Sequence, residues 1–306
     1  MRIIIAGGTG LIGTALAQQL EKENHEVYIL SRNPDKFQKI STHTIKLIKW
    51  NGLNTDGWGN LVEGVDVFIN LVGENLSAGR WTEFRKRAIL GSRINAGKAL
   101  VEAIRSATTK PKVFLQSSAV GYYGSRGEAI VSESTNAGED FLAKVCVEWE
   151  RSTVEVEDFG IRRIITRSGV ILSTEDGALP RMVLPFYFYV GGPISNGQQF
   201  FPCIHIEDEI AALIFLITHA DASGGYNLTI PNPVKNKQFA KEIGKALHRP
   251  SFFPVPAFVL RLLFGEMANM LLGSQRIIPE RLLQLGFKFK FPTTNEALQD
   301  LYRKKN

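Results

Sequence analysis

The stretch Gly7-Gly8-Thr9-Gly10-Leu11-Ile12-Gly13 decides the fold of this chain. It follows the apolar run Arg2-Ile3-Ile4-Ile5-Ala6, typical of a buried strand, and precedes residues 14–20, which predict a helix. Main-chain N–H groups in such a turn can approach phosphate oxygens, and the helix N-terminus adds unpaired donors and partial positive charge. The sequence therefore predicts a dinucleotide-binding turn, with the diphosphate at Gly7, Thr9, Gly10, Leu11, Ile12 and Gly13. A structural turn without a ligand is the alternative.

The residues after the second predicted strand, 25–30, bear on which dinucleotide is bound. A site for NAD usually has an acidic residue here, which accepts hydrogen bonds from the ribose hydroxyls. This chain has Ser31-Arg32-Asn33 instead. Arg32 can pair with a 2′-phosphate through its planar guanidinium group, and Ser31 can donate to the same phosphate. We therefore predict NADP(H), although the nearby Asp35, or an Arg32 that meets only water, leaves NAD(H) open.

Composition narrows the class of protein and its partners. The 306 residues are 44% apolar and 22% charged, which is ordinary for a soluble globular protein. The net charge of +6 is spread along the chain and does not predict a nucleic-acid partner. Cys146 and Cys203 form no disulfide framework and no metal-ligand spacing, so we expect a reducing compartment and no metal. With no secretory or membrane-spanning pattern, we expect a cytoplasmic monomer or homodimer that acts on a small molecule.

Strands and helices alternate through the first half of the chain. Such alternation predicts an α/β fold, a Rossmann-type doubly wound parallel sheet, over residues 1–169. From residue 170 to residue 306, Pro and Gly become frequent, and we expect a smaller α+β substrate or lid region that closes over the cofactor. Strands are predicted at residues 2–6, 25–30, 45–50, 65–71, 112–118 and 162–167. Helices are predicted at residues 80–106 and 139–159.

Four stretches, taken in this order, resemble the extended short-chain dehydrogenase/reductases, also called the NAD-dependent epimerase/dehydratase superfamily. They are residues 7–13, Asn70-Leu71-Val72-Gly73, residues 117–124 and Arg167-Ser168-Gly169-Val170. The resemblance is closer to an atypical branch, called epimerase family proteins, with a C-terminal domain of unassigned function. Its further motifs are residues 191–194, 203–208, 226–229, 265–268, 275–279 and 285–289. The resemblance implies an oxidoreductase or epimerase in which Gly73 passes close to the dinucleotide.

Catalysis in the family depends on a Ser or Thr, a Tyr and a Lys, with the Lys four residues after the Tyr on one helix face. Ser118 matches the first of these positions. Phe141 stands at the Tyr position, and a phenyl ring carries no proton, while Val145 stands at the Lys position. Lys144 is displaced by one residue, which rotates it by about 100° around the helix. The usual Tyr-x-x-x-Lys pair is therefore missing.

Two residues could supply the proton that the missing pair would supply. Tyr122 follows the fifth predicted strand and should lie near the nicotinamide, and Lys144 lies on the following helix. We hypothesise that one of them acts together with Ser118, whereas the alternative is that both only line the pocket. Loss of the catalytic pair also leaves open a non-catalytic NADP(H) sensor or scaffold protein.

Overall fold

A computed structural model describes residues 1–303, which form a seven-stranded parallel sheet with helices on both faces. The strands are β1 (Arg2–Ala6), β2 (Glu26–Ser31), β3 (Ile45–Lys49), β4 (Val67–Asn70), β5 (Val113–Ala119), β6 (Ile130–Val131), β7 (Arg162–Ser168), β8 (Val170–Leu172), β9 (Phe200–Phe201), β10 (Cys203–His205), β11 (Gly224–Leu228), β12 (Val234–Lys235) and β13 (Arg276–Ile277). The main sheet has the order β11-β7-β5-β4-β1-β2-β3.

The helices lie on the two faces of this sheet and around the second half of the chain. They are α1 (Leu11–Lys22), α2 (Glu83–Ser106), α3 (Phe141–Arg151), α4 (Leu179–Tyr187), α5 (Ile206–Thr218), α6 (Asn236–Leu247), α7 (Ala257–Phe264), α8 (Asn269–Leu272), α9 (Glu280–Gln284) and α10 (Thr294–Arg303). Short 3₁₀ turns occupy Pro34–Ile40, Gly59–Val62, Val120–Tyr123, Val154–Phe159 and Gly265–Ala268.

Alternation along β1 explains why the sheet is covered on both sides. Ile3 and Ile5 pack in one apolar cluster with residues of α1 and α5, whereas Ile4 and Ala6 pack in another with residues of α2. A strand with both faces buried has no polar side, as its sequence predicts. The doubly wound α/β fold predicted from the sequence is therefore confirmed, and the six predicted strands are present with ends shifted by at most two residues.

The sheet reverses its strand order at β1, which pairs with β2 on one side and β4 on the other. In sheets of this kind ligands bind beyond the carboxyl ends of the strands at such a reversal. Ala6 at the end of β1 pairs with Asn70 at the end of β4. The fold thus brings the glycine-rich turn and the Gly73 loop to one crevice.

The second half of the chain builds small two-stranded sheets and its own apolar cluster. This cluster joins residues of α4, α6 and α10, among them Val183, Phe239 and Leu298. The seventh strand of the main sheet, β11, also comes from this half, and it pairs with β7. The sequence does not predict this strand, and the division at residue 169 stays a prediction.

Two segments differ from their expected structure. The helix expected over residues 139–159 is α3 followed by a separate 3₁₀ turn, because Ser152 Oγ donates to Trp149 O at 2.7 Å and the chain then bends at Thr153. The apolar composition of residues 252–272 predicts a core helix or a pocket cover, and the core helix is wrong, because Phe258 and Leu262 are exposed on α7. No helix in the described part of the chain is long and apolar enough to cross a membrane.

Candidate functional site

The glycine-rich turn packs so closely against its neighbours that two of its glycines are fixed by geometry. Gly7 has φ +77°, and a Cβ there would lie 3.0 Å from the carbonyl carbon of Leu71. A Cβ at Gly13 would lie 2.4 Å from Gly8 Cα, so α1 can approach the turn only without a side chain at this position. These contacts hold the start of α1 against the ends of β1 and β4.

Gly10 differs from these two because it faces open space. It is exposed, and a Cβ there would have only Gly7 O nearby, at 3.7 Å. Gly10 is the N-cap of α1, where no side chain makes a capping hydrogen bond and the first turn has no acidic residue. The helical hydrogen bonds begin with Thr14 N donating to Gly10 O at 2.9 Å, so the N–H groups of Leu11, Ile12 and Gly13 precede them.

Open space, unpaired N–H groups and the positive end of a helix together form a site for an anion. Thr9 is half-buried beside Gly10, at the rim of this space. The residues present therefore fit the diphosphate of a dinucleotide.

Two predicted site residues, Ser31 and Arg32, lie at the end of β2, and they differ in how far they are buried. Ser31 is buried, and its Oγ accepts from Asn33 N at 3.3 Å, which leaves its O–H free to donate to a ligand. The Arg32 side chain is 71% exposed, and its Nη1 lies 3.9 Å from Glu74 Oε2. Glu74 is bound more closely by Arg85, at 2.8 Å. Arg32 is thus held loosely and is accessible to a phosphate.

Ser118 belongs to a buried polar network at the carboxyl ends of β5, β7 and β11. Its Oγ donates to Glu150 Oε1 at 2.6 Å. Arg167 Nε and Nη2 donate to the two oxygens of the same carboxylate, each at 3.0 Å. Arg167 Nη1 donates to Tyr123 Oη at 3.0 Å, and Tyr123 donates to Asn227 Oδ1 at 2.7 Å. All five side chains are buried, so each polar group depends on the others.

The two tyrosines after β5 have different surroundings. Burial raises the pKa of Tyr123 to about 12, so this phenol stays protonated at neutral pH and serves as a fixed member of the network. Tyr122 is half-buried, and its ring centroid lies 3.5 Å from Arg167 Cζ. Tyr122 is therefore brought next to the network that contains Ser118.

Lys144 is not brought to this network. Its side chain is exposed on α3, and within residues 1–303 it forms no hydrogen bond or ion pair. Phe141 packs edge-on against Trp81, with ring centroids 5.2 Å apart, and Val145 is buried. The positions that we predict for the family's Tyr and Lys thus hold packing residues, and the catalytic roles of Ser118, Tyr122 and Lys144 stay predictions.

Glu150, the partner of Arg167, is not among the site residues that the sequence predicts. A signal was present, since Arg167 comes two residues after the apolar pair Ile164-Ile165 of β7, and Glu150 follows Trp149 on the buried face of α3. Buried charges of opposite sign are usually paired, but their pairing requires knowledge of the fold. In the described part of the chain, no group of three or more His, Cys, Asp or Glu could hold a metal ion.

Comparison with known proteins gives concordant results. The model of the NAD dependent epimerase/dehydratase family matches residues 3–229, and that of a domain of unknown function, DUF1731, matches residues 255–301. Epimerase family protein YfhF of Bacillus subtilis (strain 168) is 40% identical over 303 residues, which is 98% of each chain. The crystal structure of human epimerase family protein SDR39U1 with NADPH has a TM-score of 0.88 at 34% identity, with 99% of each chain covered.

A more distant likeness concerns the fold alone. A UDP-glucuronic acid 4-epimerase from Bacillus cereus has a TM-score of 0.79 at 16% identity, with 99% of each chain covered. The sheet and the glycine-rich turn define the class of epimerase-like nucleotide-binding proteins. Within that class, the chain belongs to the NAD dependent epimerase/dehydratase family and carries the DUF1731 domain at its C-terminal end.

Proposed function

We propose that this protein binds NADP(H) and acts as an oxidoreductase or epimerase on a small molecule. The observation that carries the proposal is the open, uncapped start of α1 at Gly10, with the exposed Arg32 at the end of β2. No acidic residue stands directly at the end of β2 to favour ribose hydroxyls. The NADPH in the human relative supports the choice of cofactor.

The chain's own residues suggest how a substrate would be held. When bound, the nicotinamide would exchange electrons with a substrate carbon. The Ser118 proton is directed at Glu150, so a ligand atom that reaches Ser118 Oγ meets lone pairs and must donate a hydrogen bond. This arrangement favours a hydroxyl over a carbonyl as the group recognised there. Of the two proton donors considered, we favour Tyr122, because it packs on Arg167 of the same network.

A specific observation also favours a second function. Phe141 and Val145, at the places that we predict for the reactive pair, are packing residues, and Lys144 is exposed. A protein that binds NADP(H) without using it would act as a sensor or scaffold. An enzyme should consume NADPH or NADP⁺ in the presence of its substrate, whereas a sensor should change partner or oligomeric state and leave the nucleotide intact. The two unpaired cysteines, both buried, fit a reducing compartment such as the cytoplasm in either case.

NADPH should raise the melting temperature more than NADH at equal concentration, because a ligand that binds only the folded state stabilises it by mass action. At 100 times its Kd a ligand contributes about 2.7 kcal/mol. Arg32→Ala should remove most of the difference, since the extra phosphate loses its guanidinium partner. Thermal unfolding with each nucleotide measures both effects.

Two variants sharpen this test. Gly10→Val fills the open space and should abolish both shifts while the apoprotein stays folded, because nothing in the protein occupies that space. Lys39→Ala removes an exposed positive charge seven residues after Arg32 in the chain and should leave the difference between the nucleotides unchanged. Equal shifts by NADPH and NADH would refute the role of Arg32, and the absence of any shift would refute the dinucleotide site.

A further inference from the structure

Arg93 on α2 is a buried cation without an ion-pair partner in the described part of the chain. It is 8% exposed. The other two buried arginines among residues 1–303, Arg163 and Arg167, are paired with Glu157 and Glu150 at 3.0 Å. The Glu74 carboxylate forms its close ion pair with Arg85, and its effect on the charge of Arg93 is a longer-range electrostatic one. A buried charge of this kind is costly unless something compensates it.

The protein satisfies only part of the Arg93 guanidinium. Nη1 donates to Ile89 O at 2.9 Å and to Glu74 O at 3.3 Å, and Cζ lies 4.7 Å from the Trp149 ring centroid. Nε is buried without a hydrogen-bond partner among the described residues. Burial lowers the pKa of this guanidinium, which shows that its surroundings disfavour the charge. Nη2 also donates to no described residue, and unlike Nε it is not fully buried, so it is the donor that remains for another partner.

This donor lies where a ligand is expected. A Cβ at Gly73 would lie 2.7 Å from Nη2, and Gly73 is itself exposed in the loop that leaves β4. Arg93 also lies close enough to Cys146 for the two groups to influence each other's charge. Cys146 directly follows Val145, the residue at the position of the family's lysine. Arg93 thus brings a cation from α2 to the part of α3 that lacks one.

We propose that Arg93 binds an anionic oxygen of the ligand, from a phosphate or a carboxylate, at the carboxyl end of β4. The proposal rests on the proposed function in that the ligand enters the same crevice as the dinucleotide. A guanidinium N–H forms charge-assisted hydrogen bonds with carboxylate and phosphate oxygens, and Nη2 is the donor that the protein leaves for such an oxygen. The oxygen comes either from the diphosphate half of the dinucleotide or from an acidic substrate held beside it.

The first test is stability without ligand, which separates binding from a structural role. Arg93→Met removes the charge at similar volume and should leave the melting temperature of the apoprotein unchanged or raise it, since the cost of burying the charge disappears. Arg163→Met is the matched control, because Arg163 is equally buried but paired with Glu157. This control should melt at a lower temperature and bind ligands as the parent does.

The second test is affinity, with probes that separate the two sources of the anion. If the dinucleotide supplies it, Arg93→Met should weaken NADPH binding about 10- to 100-fold. The same variant should leave adenosine 2′,5′-bisphosphate, which lacks the diphosphate bridge, unaffected. If the substrate supplies it, NADPH binding is retained, and the added stabilisation by malonate or inorganic phosphate in the presence of NADPH is lost. Arg93→Lys should keep part of either effect.

The outcomes also separate this proposal from the proposed function. A parent protein that ignores NADPH but is stabilised by phosphate or malonate, with Arg93→Met insensitive to both, would overturn the proposed function and support the role of Arg93. The role of Arg93 is overturned if Arg93→Met loses as much apoprotein stability as Arg163→Met and leaves every ligand affinity unchanged. A parent that binds none of these probes overturns both proposals.

Discussion

Replacing Glu150 by alanine is expected to lower the free energy of unfolding by about 3–5 kcal/mol. The change removes both hydrogen bonds to Arg167 and the acceptor of the Ser118 hydroxyl. Arg167 stays buried at 7% exposure and is then a charge without a carboxylate. Urea unfolding of the parent and the variant measures the difference.

The matched control is Glu155→Ala, which breaks an ion pair with Arg105 in which both side chains are more than 40% exposed. Water and salt already screen such a pair, so the expected loss is about 0–1 kcal/mol. Similar losses for Glu150→Ala and Glu155→Ala would contradict the view that the network at the carboxyl ends of β5 and β7 is a tightly coupled unit.

The second large effect is expected from Glu209→Gln, and it depends on pH. The Glu209 carboxyl group is 1% exposed on α5, one oxygen accepts from Ser168 Oγ at 2.6 Å, and Oε2 has no hydrogen-bond partner among residues 1–303. Burial raises its pKa to about 8, from 4.5 for a free side chain. Between about pH 4.5 and pH 8, the folded protein therefore holds a proton on Glu209 that the unfolded chain has already released.

Because the folded state binds the additional proton, stability falls as pH rises through this window and levels off above about pH 8. A glutamine has the shape of the neutral acid and carries no such cost. Glu209→Gln should therefore be more stable than the parent at pH 8–9, by an amount on the order of 4 kcal/mol. The two proteins should converge near pH 5.

Urea unfolding across pH 5–9 checks this expectation. Ser168→Ala keeps the carboxyl buried and should retain the parent's decline with pH, which makes it the control for simple repacking. Parallel pH profiles for the parent and Glu209→Gln would show that the carboxyl ionises in the folded protein without cost.

The sequence predicts the main sheet well because its signals are local. The glycine-rich turn and the apolar strands each lie within a few neighbouring residues. The strand β11 has a weaker local signal, since it begins with Gly224-Gly225 and has only five residues. Its pairing with β7 joins residues about 60 positions apart, which no periodicity in the sequence could reveal.

The candidate site likewise has a part that local sequence signals predict and a part that depends on contacts between distant residues. The diphosphate turn is contiguous in the chain, so its residues could be named from the sequence. Ser118 binds Glu150, which lies 32 positions later in the chain, and Glu150 in turn binds Arg167. The loop residue that Arg93 contacts, Glu74, lies 19 positions before Arg93. Chemistry that depends on which buried charges meet could be derived only from the fold.

The position of β11 also affects how the protein is made. During synthesis, β7 emerges from the ribosome about 60 residues before the strand that covers its open side, so the nascent sheet presents an unpaired edge for that interval. The amino-terminal sheet is complete only once residue 228 has emerged, after α4 and α5 have been made. Release of the chain before this point would leave an incomplete sheet prone to pair with other chains.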